Sequence, residues 1–151
     1  MPATRESAMA FEGPSKMSVE EANSFLSSAF NRPDHQAVIT VMEPGRAVQR
    51  LSVREEHLRP GGYVSGPSQM AIADSAAYMA VMTLTGIEPM TVTSNLNINF
   101  LRPCIGDAVL ADARVMKIGQ ALAVMDVDIR VEGAEKAASH AIVTYALPRK
   151  G

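Results

Sequence analysis

Residues Gln69–Leu84 read QMAIADSAAYMAVMTL, a stretch that is apolar on nearly every side when wound as a helix. A helix with no polar face has to be buried. Pro67 suits the first turn of that helix because its fixed φ is already helical. Ser65 or Gly66 supplies the cap, and Gly86 marks the end. The chain must therefore provide a surface able to surround this rod.

Working outward, four strand-like segments follow. Thr91 to Leu101 alternates, with Val92, Leu96, Ile98 and Phe100 on one face and Thr93, Asn95, Asn97 and Asn99 on the other. Asp107 to Ile118 comes next, then a Gly119-Gln120 turn, Ala121 to Val131, a Glu132-Gly133 turn, and Lys136 to Leu147. Strict alternation with short turns predicts half-buried antiparallel strands. Ahead of the helix, Ala37 to Glu43 and Ala47 to Val53 flank a Pro44-Gly45 turn and read as a hairpin. The stretch from Arg54 to Gly66, with Pro60-Gly61-Gly62, reads as a loop. Ser18 and Glu21 form a capping box that opens a short helix from Val19 to Phe30, and Asn31-Arg32-Pro33-Asp34 stops it. Residues 1–17 read as a flexible lead-in, and 18–148 as a single domain. The predicted class is α+β, one antiparallel β-sheet wrapped around a long central α-helix. Such a sheet has open edges, and pairing them across a two-fold axis predicts a homodimer at least.

Composition narrows the function. The 151 residues carry a net charge of −2, which argues against a nucleic-acid partner. The single cysteine, Cys104, excludes an internal disulfide and a Cys-rich zinc site. Residues 1–17 lack a secretory signal pattern, and no long uninterrupted apolar run predicts a membrane span. The expected setting is cytoplasmic. Ten methionines suit an adaptable apolar interior.

Between Pro60 and Ile87 the only charged residue is Asp74, set within Ala71-Ile72-Ala73 and Ser75-Ala76-Ala77. A carboxylate on an apolar helix is costly unless it is paired or opens into a cavity. That placement suits a general base or nucleophile; a solvent-facing or capping Asp74 is the plainer alternative. The helix start at Gly66 offers free backbone N–H groups that stabilise developing negative charge, whereas Pro67 has none to give. An ordinary cap is the simpler account of that junction. His35, His57 and His140 lack metal-ligand spacing, so no metal and no cofactor are expected. Cys104 reads as a packed thiol. No phosphate loop, dinucleotide fingerprint or catalytic triad appears.

The run His57-Leu58-Arg59-Pro60-Gly61-Gly62-Tyr63-Val64-Ser65-Gly66-Pro67, followed by Ala73-Asp74, resembles the motif of the hot-dog thioesterases, H-L-N-P-x-G-x-V-H-G-G and then an Ala-Asp or Ala-Glu pair. The subgroup it is most similar to is the phenylacetic-acid-degradation and 4-hydroxybenzoyl-CoA type. Thr93 to Pro103 and the Lys117-Ile118-Gly119-Gln120 hairpin are also similar, and the likeness extends over residues 37–147. It implies the hot-dog fold and gives Asp74 the role of nucleophile or general base toward water at the thioester carbon. It gives Gly66 the N–H that polarises the thioester carbonyl. Arg59 stands where the family has Asn or Gln, Ser65 where it has His, and Pro67 where it has a second Gly. Tyr78 lies where some members place a Thr or Ser hydroxyl. Arg59 either pairs with Asp74, weakening it as a base, or recognises a carboxylate on the acyl group. Arg102 and Lys117 are candidates for the coenzyme A phosphates.

The expected function is hydrolysis of an acyl-CoA substrate by a homodimer or a dimer of dimers. The acyl group would lie in an apolar tunnel at the subunit interface, lined from the Met70, Met79 and Met82 region. A non-catalytic acyl-CoA or acyl-ligand binding protein is the alternative. A hydratase ranks last, because no His follows Asp74 at short spacing on the helix.

Overall fold

The computed structural model describes residues 11–30 and 37–149. In chain order these form α1 (Val19–Ala29), β1 (Ala37–Glu43), β2 (Arg46–Ser52), a 3₁₀ turn (Glu55–His57), β3 (Leu58–Arg59), β4 (Tyr63–Val64), α2 (Gly66–Thr85), β5 (Val92–Phe100), β6 (Ala108–Ile118), β7 (Leu122–Val131) and β8 (Ser139–Ala146). Six strands make one antiparallel sheet in the order β1-β2-β6-β7-β8-β5. The sheet wraps α2, giving the α+β hot-dog architecture expected from the sequence.

Small side chains let helix and sheet approach closely. Ala73, Ala76, Ala77 and Ala80 of α2 are fully buried, as are Ala111 of β6 and Ala141 of β8. Met79, Met82 and Met125 fill the irregular gaps between these flat surfaces and are also fully buried. Alternation along β7 sends Met125, Val127 and Ile129 inward, and the intervening residues outward. The outward face is charged, with Arg46 on Asp112 at 3.1 Å and Arg50 on Glu132 at 2.9 Å.

Two turns tie the rod to its wrapping. Gly86 takes φ +79°, closing α2 with its N–H on the Met82 carbonyl. Gly45, at φ +78° between β1 and β2, donates its N–H to Thr83 Oγ1 of α2 at 2.8 Å. The capping box of α1 forms as expected, with Glu21 N–H on Ser18 Oγ and Ser18 N–H on Glu21 Oε1, both at 3.1 Å. Asn23 of α1 then clasps the Ile39 backbone of β1 through both amide atoms.

The structure departs from the sequence reading in two places. Residues 11–17 are not a free lead-in: Met17 is fully buried and the Lys16 N–H bonds the Thr83 carbonyl at 2.8 Å. The stretch from Arg54 to Gly66, expected as a plain loop, holds the 3₁₀ turn, the β3–β4 hairpin and the first residue of α2. Gly61 and Gly62 turn that hairpin at φ +98° and +79°, and Val64 N–H bonds the Cys104 carbonyl at 2.8 Å. Glycine permits a turn that composition alone does not distinguish from irregular chain. Residues 1–10, the Asn31-Arg32-Pro33-Asp34 stop and His35 lie outside the described residues.

Met79 has no exposed surface, so Met79→Ala is expected to lower the unfolding free energy by about 2–5 kcal/mol. Urea titration reads this directly.

Candidate active site

Ser65 caps α2 in extended backbone, its Oγ accepting the Ser68 N–H at 3.2 Å. The Ser65 N–H is itself held by the His57 carbonyl at 2.8 Å, so the hairpin fixes where the helix begins. Gly66, the first helical residue, has no helical carbonyl behind it, and its N–H finds no acceptor among the described residues. A Cβ at Gly66 would come within 3.2 Å of the Phe100 ring, so glycine lets the end of β5 lie against the helix start. Pro67, next along, is exposed.

Two turns further on, Asp74 is half-buried. Its Oδ1 accepts a hydrogen bond from Tyr145 Oη at 2.7 Å and another from Thr93 Oγ1 at 2.8 Å. The Tyr145 hydroxyl also reaches the Asp74 carbonyl at 3.0 Å. Burial, reinforced by the Asp74 carboxylate, pushes the Tyr145 phenol far above its ordinary range, so it remains a donor. Oδ2 has no hydrogen-bond partner among the described residues and is not among the buried unpartnered atoms. One carboxylate oxygen is thus clamped and the other is open to a reacting group. Sequence reasoning did not find Thr93 or Tyr145 as partners of Asp74. They lie 19 and 71 residues away in the chain, and only the sheet brings them to the helix.

A cavity of about 550 Å³ adjoins Asp74, within the usual range for small-molecule sites. Ser68, Ala71, Ser75 and Tyr78 share one face of α2 at helical spacing and form one wall. Leu26 and Phe30 close it from the α1 side, and Ala37, Gln49 and Leu51 from the sheet. Tyr78 stacks on Tyr145 at 5.3 Å between ring centres, and burial raises its phenol. His57 also lines the cavity, with its Nδ1 accepting the Arg54 N–H at 2.9 Å.

Other predicted site residues sit apart. Arg59 is exposed, donating from Nε to the Pro60 carbonyl at 3.2 Å rather than to Asp74. Arg102 bonds the Ala137 carbonyl from an exposed position, and Lys117 is exposed near the β6–β7 turn. Met70 is 39% exposed, but Met79 and Met82 belong to the core and do not line the cavity. The expected methionine tunnel is therefore replaced by the wall of α1, α2 and the β1–β2 hairpin. Cys104 is buried, which pushes its thiol up. His140 joins Asp126 and Asp128, with donor atoms within 4.8 Å of one another. The spacing analysis missed this cluster because two strands assemble it. Alternation along β8 puts His140 and Tyr145 on opposite faces of the sheet, so the cluster is separate from the Asp74 cavity. A direct His140–Asp126 pair and an Arg130–Asp128 contact at 3.5 Å already engage its charges.

Residues 61–138 match the thioesterase superfamily, just over half of the chain. The chain belongs to that superfamily. A crystal structure of a candidate thioesterase from Silicibacter is 34% identical, with TM-score 0.83, covering 93% of this chain and 99% of that one. Acyl-coenzyme A thioesterase 13 of Mus musculus is 26% identical over 106 residues, 70% of this chain and 75% of the mouse protein. A candidate esterase of Saccharolobus solfataricus is 29% identical over 89 residues, 59% of this chain and 63% of the archaeal protein. Those relatives are named for ester or thioester hydrolysis, and a thioester hydrolase scaffold is what this fold supplies.

Tyr145→Phe removes a buried donor to a carboxylate and is expected to cost about 1–3 kcal/mol in urea unfolding. Thr93→Val, at an exposed position, should cost less.

Proposed function

We propose that the protein hydrolyses acyl-CoA thioesters, with Asp74 as the attacking group or the base for water. The observation that carries this reading is the half-clamped carboxylate at the edge of the cavity. Oδ2 attacks the thioester carbon, or takes the proton of an attacking water. The Gly66 N–H holds the carbonyl oxygen as it becomes an oxyanion. The carbonyl re-forms as the thiolate of coenzyme A leaves; where Oδ2 has attacked directly, water then hydrolyses the acyl–Asp74 anhydride, and in either route the proton released from water ends on the thiolate or the freed acid. No metal or cofactor enters this scheme.

Distance along the helix supports a site shared by two chains. The eight positions from Gly66 to Asp74 correspond to about 12 Å of helical rise. Groups acting on one carbonyl must lie within about 3–3.5 Å of it. Gly66 and Asp74 of one chain are too far apart to do so, and a second copy removes the conflict. Strand β5 lies at the sheet edge, with Thr93 near one end bonded to Asp74 and Phe100 at the other against Gly66. Antiparallel pairing of β5 with its copy sets the Thr93 end of one chain beside the Phe100 end of the other. Asp74 of one protomer then faces Gly66 of its partner. Val92 and Phe100, over half exposed in the single chain, would be covered.

The same pairing assigns the flanking residues. Lys117 shares its sheet row with Thr144 and Asn95, near the Asp74 end, while Arg102 follows the Phe100 end. Cations of both copies would then border one site and meet the coenzyme A phosphates. Ser65 and Arg59 stand at the helix-start side, where Arg59 is free to swing toward substrate. Pro67, Met70 and Tyr78 are proposed substrate contacts. The motif likeness to the phenylacetic-acid-degradation type, a dimer of dimers and a cytoplasmic setting belong to the same proposal.

The departures at Arg59, Ser65 and Pro67 from the family motif favour a second reading, a binding protein for acyl-CoA that does not cleave it. Thiol release from a panel of acyl-CoAs, beside direct binding, separates the two. Asp74→Asn is expected to fold and to lose about a hundredfold to ten-thousandfold in kcat; retained turnover refutes the assignment. Gly66→Pro removes the N–H and should also be inactive. Mixed and refolded together, these two inactive variants should regain activity, because each hybrid dimer contains one intact Gly66–Asp74 site. Failure to regain it while hybrids form would place both groups in one chain.

A further inference from the structure

Gln69 shares one face of α2 with Ala73, Ala76 and Ala80, all fully buried, and is itself 5% exposed. An amide on an apolar face is costly unless both of its ends find partners, and both do. Nε2 donates to the Val64 carbonyl at 3.1 Å, and Oε1 accepts from Ser139 Oγ at 2.7 Å. The carbonyl can only accept, which fixes which amide atom is nitrogen. Ser139 is fully buried on the inward face of β8. Leucine would fill the position with no polar group to satisfy, so packing alone does not call for an amide.

The bonds made by Gln69 converge on the junction that carries the Gly66 N–H. A peptide is planar and trans, so an N–H points opposite to the carbonyl of its own plane. The Gly66 N–H therefore takes its direction from the Ser65 carbonyl, which the Gln69 N–H holds at 3.1 Å. The preceding plane is pinned at both polar atoms, the Ser65 N–H by the His57 carbonyl at 2.8 Å and the Val64 carbonyl by Gln69 Nε2. Gln69 thus holds two successive peptide planes, one through its backbone and one through its side chain. Any residue but proline supplies the first bond; the second needs a side-chain donor. Gly66 adds no side chain to anchor the turn, and the first turn of a helix has few backbone bonds of its own. β8 serves both halves of the site, with Ser139 orienting Gln69 near one end and Tyr145 clamping Asp74 near the other.

We infer that Gln69 is a positioning residue: its amide, oriented by Ser139, sets the direction of the Gly66 N–H. The chemical consequence rests on the acyl-CoA reading, in which that N–H receives the thioester oxygen; the geometric one does not.

The test measures the Gly66 amide directly and turnover beside it, in the full chain. Gln69→Met keeps the volume and removes both side-chain bonds; Ser139→Ala keeps the amide and removes one. Nitrogen relaxation should report a rigid Gly66 N–H in the wild type, with an order parameter of about 0.85, falling below about 0.6 in Gln69→Met. The amides of Ala76 and Val127, in the core, should not change. Per folded protein, kcat should fall about tenfold to a hundredfold in Gln69→Met, with KM changed less than about twofold. In Ser139→Ala it should fall about twofold to tenfold. A residue that only supported the fold would lower Tm and leave kcat and the Gly66 amide of the folded protein as they are. If Gln69→Met does not fold, Ser139→Ala decides by the same two readouts. The inference is overturned if both the Gly66 order parameter and its N–H direction, read from residual dipolar couplings, are unchanged in the folded variant. It is also overturned if Gly66→Pro abolishes turnover while Gln69→Met, with Gly66 loosened, keeps the wild-type kcat. Turnover that survives in Gly66→Pro, or that the wild type lacks with every ester, counts against the hydrolytic reading; the amide measurement then decides this inference alone.

Discussion

A carboxylate within an otherwise apolar helix imposes the main constraint on this molecule. α2 is buried along most of its length, and dehydrating a charge in such surroundings is costly. The fold meets the cost locally, with hydroxyls from β5 and β8 converging on one oxygen of Asp74. Those bonds also tie an edge strand to the central helix. Among the described residues β5 pairs with β8 alone. The clamp on Asp74 therefore also holds the strand proposed to meet the partner subunit.

Charge elsewhere is kept off this inner surface. The outward face of the sheet carries Arg46–Asp112 and Arg50–Glu132 pairs; the exposed Arg50–Glu132 pair contributes little to stability, whereas Arg46–Asp112 is half-buried and two-pronged. Their effect is to keep the sheet's outer face hydrated, so that the inner face is the one that buries α2. Alanine on both contacting surfaces shortens the gap between rod and sheet, and methionine fills what is left. A close-packed interior of this kind leaves little free volume. The cavity beside Asp74 lies where Leu26 and Phe30 on the α1 side meet Ala37 and Leu51 of the sheet over α2.

Much of this was legible from local pattern. Continuous apolarity from Gln69 to Leu84 marked a buried helix, and alternation marked six strands whose ends agree with those observed to within a few residues. Asp74 stood out as an isolated charge, and Gly66 as a helix start. What could not be read were contacts made by distant parts of the chain. Thr93 reads as one polar residue in an alternating strand, and Tyr145 as one aromatic among inward positions; nothing near either points to Asp74. Met79 and Met82 show the converse limit. On a helix apolar all round, periodicity carries no information about which side meets the core and which a cavity.

The separation of Gly66 from Asp74 ties oligomeric state to chemistry. A helix N-terminus and a residue two turns later are rigidly spaced, and no local rearrangement brings them to one carbonyl. Two-fold symmetry does so without any additional element, because antiparallel pairing of β5 exchanges its ends, and each end already rests against one of the two groups. The departures from the family motif gain meaning in this light. Arg59, Ser65 and Pro67 all cluster at the helix start, so in a paired arrangement they lie across from the partner's Asp74 rather than beside their own. Among the described residues Arg59 bonds the adjacent Pro60 carbonyl, an exposed contact that is easily exchanged for another. In the proposed pairing its guanidinium would therefore stand between the substrate and the partner's carboxylate.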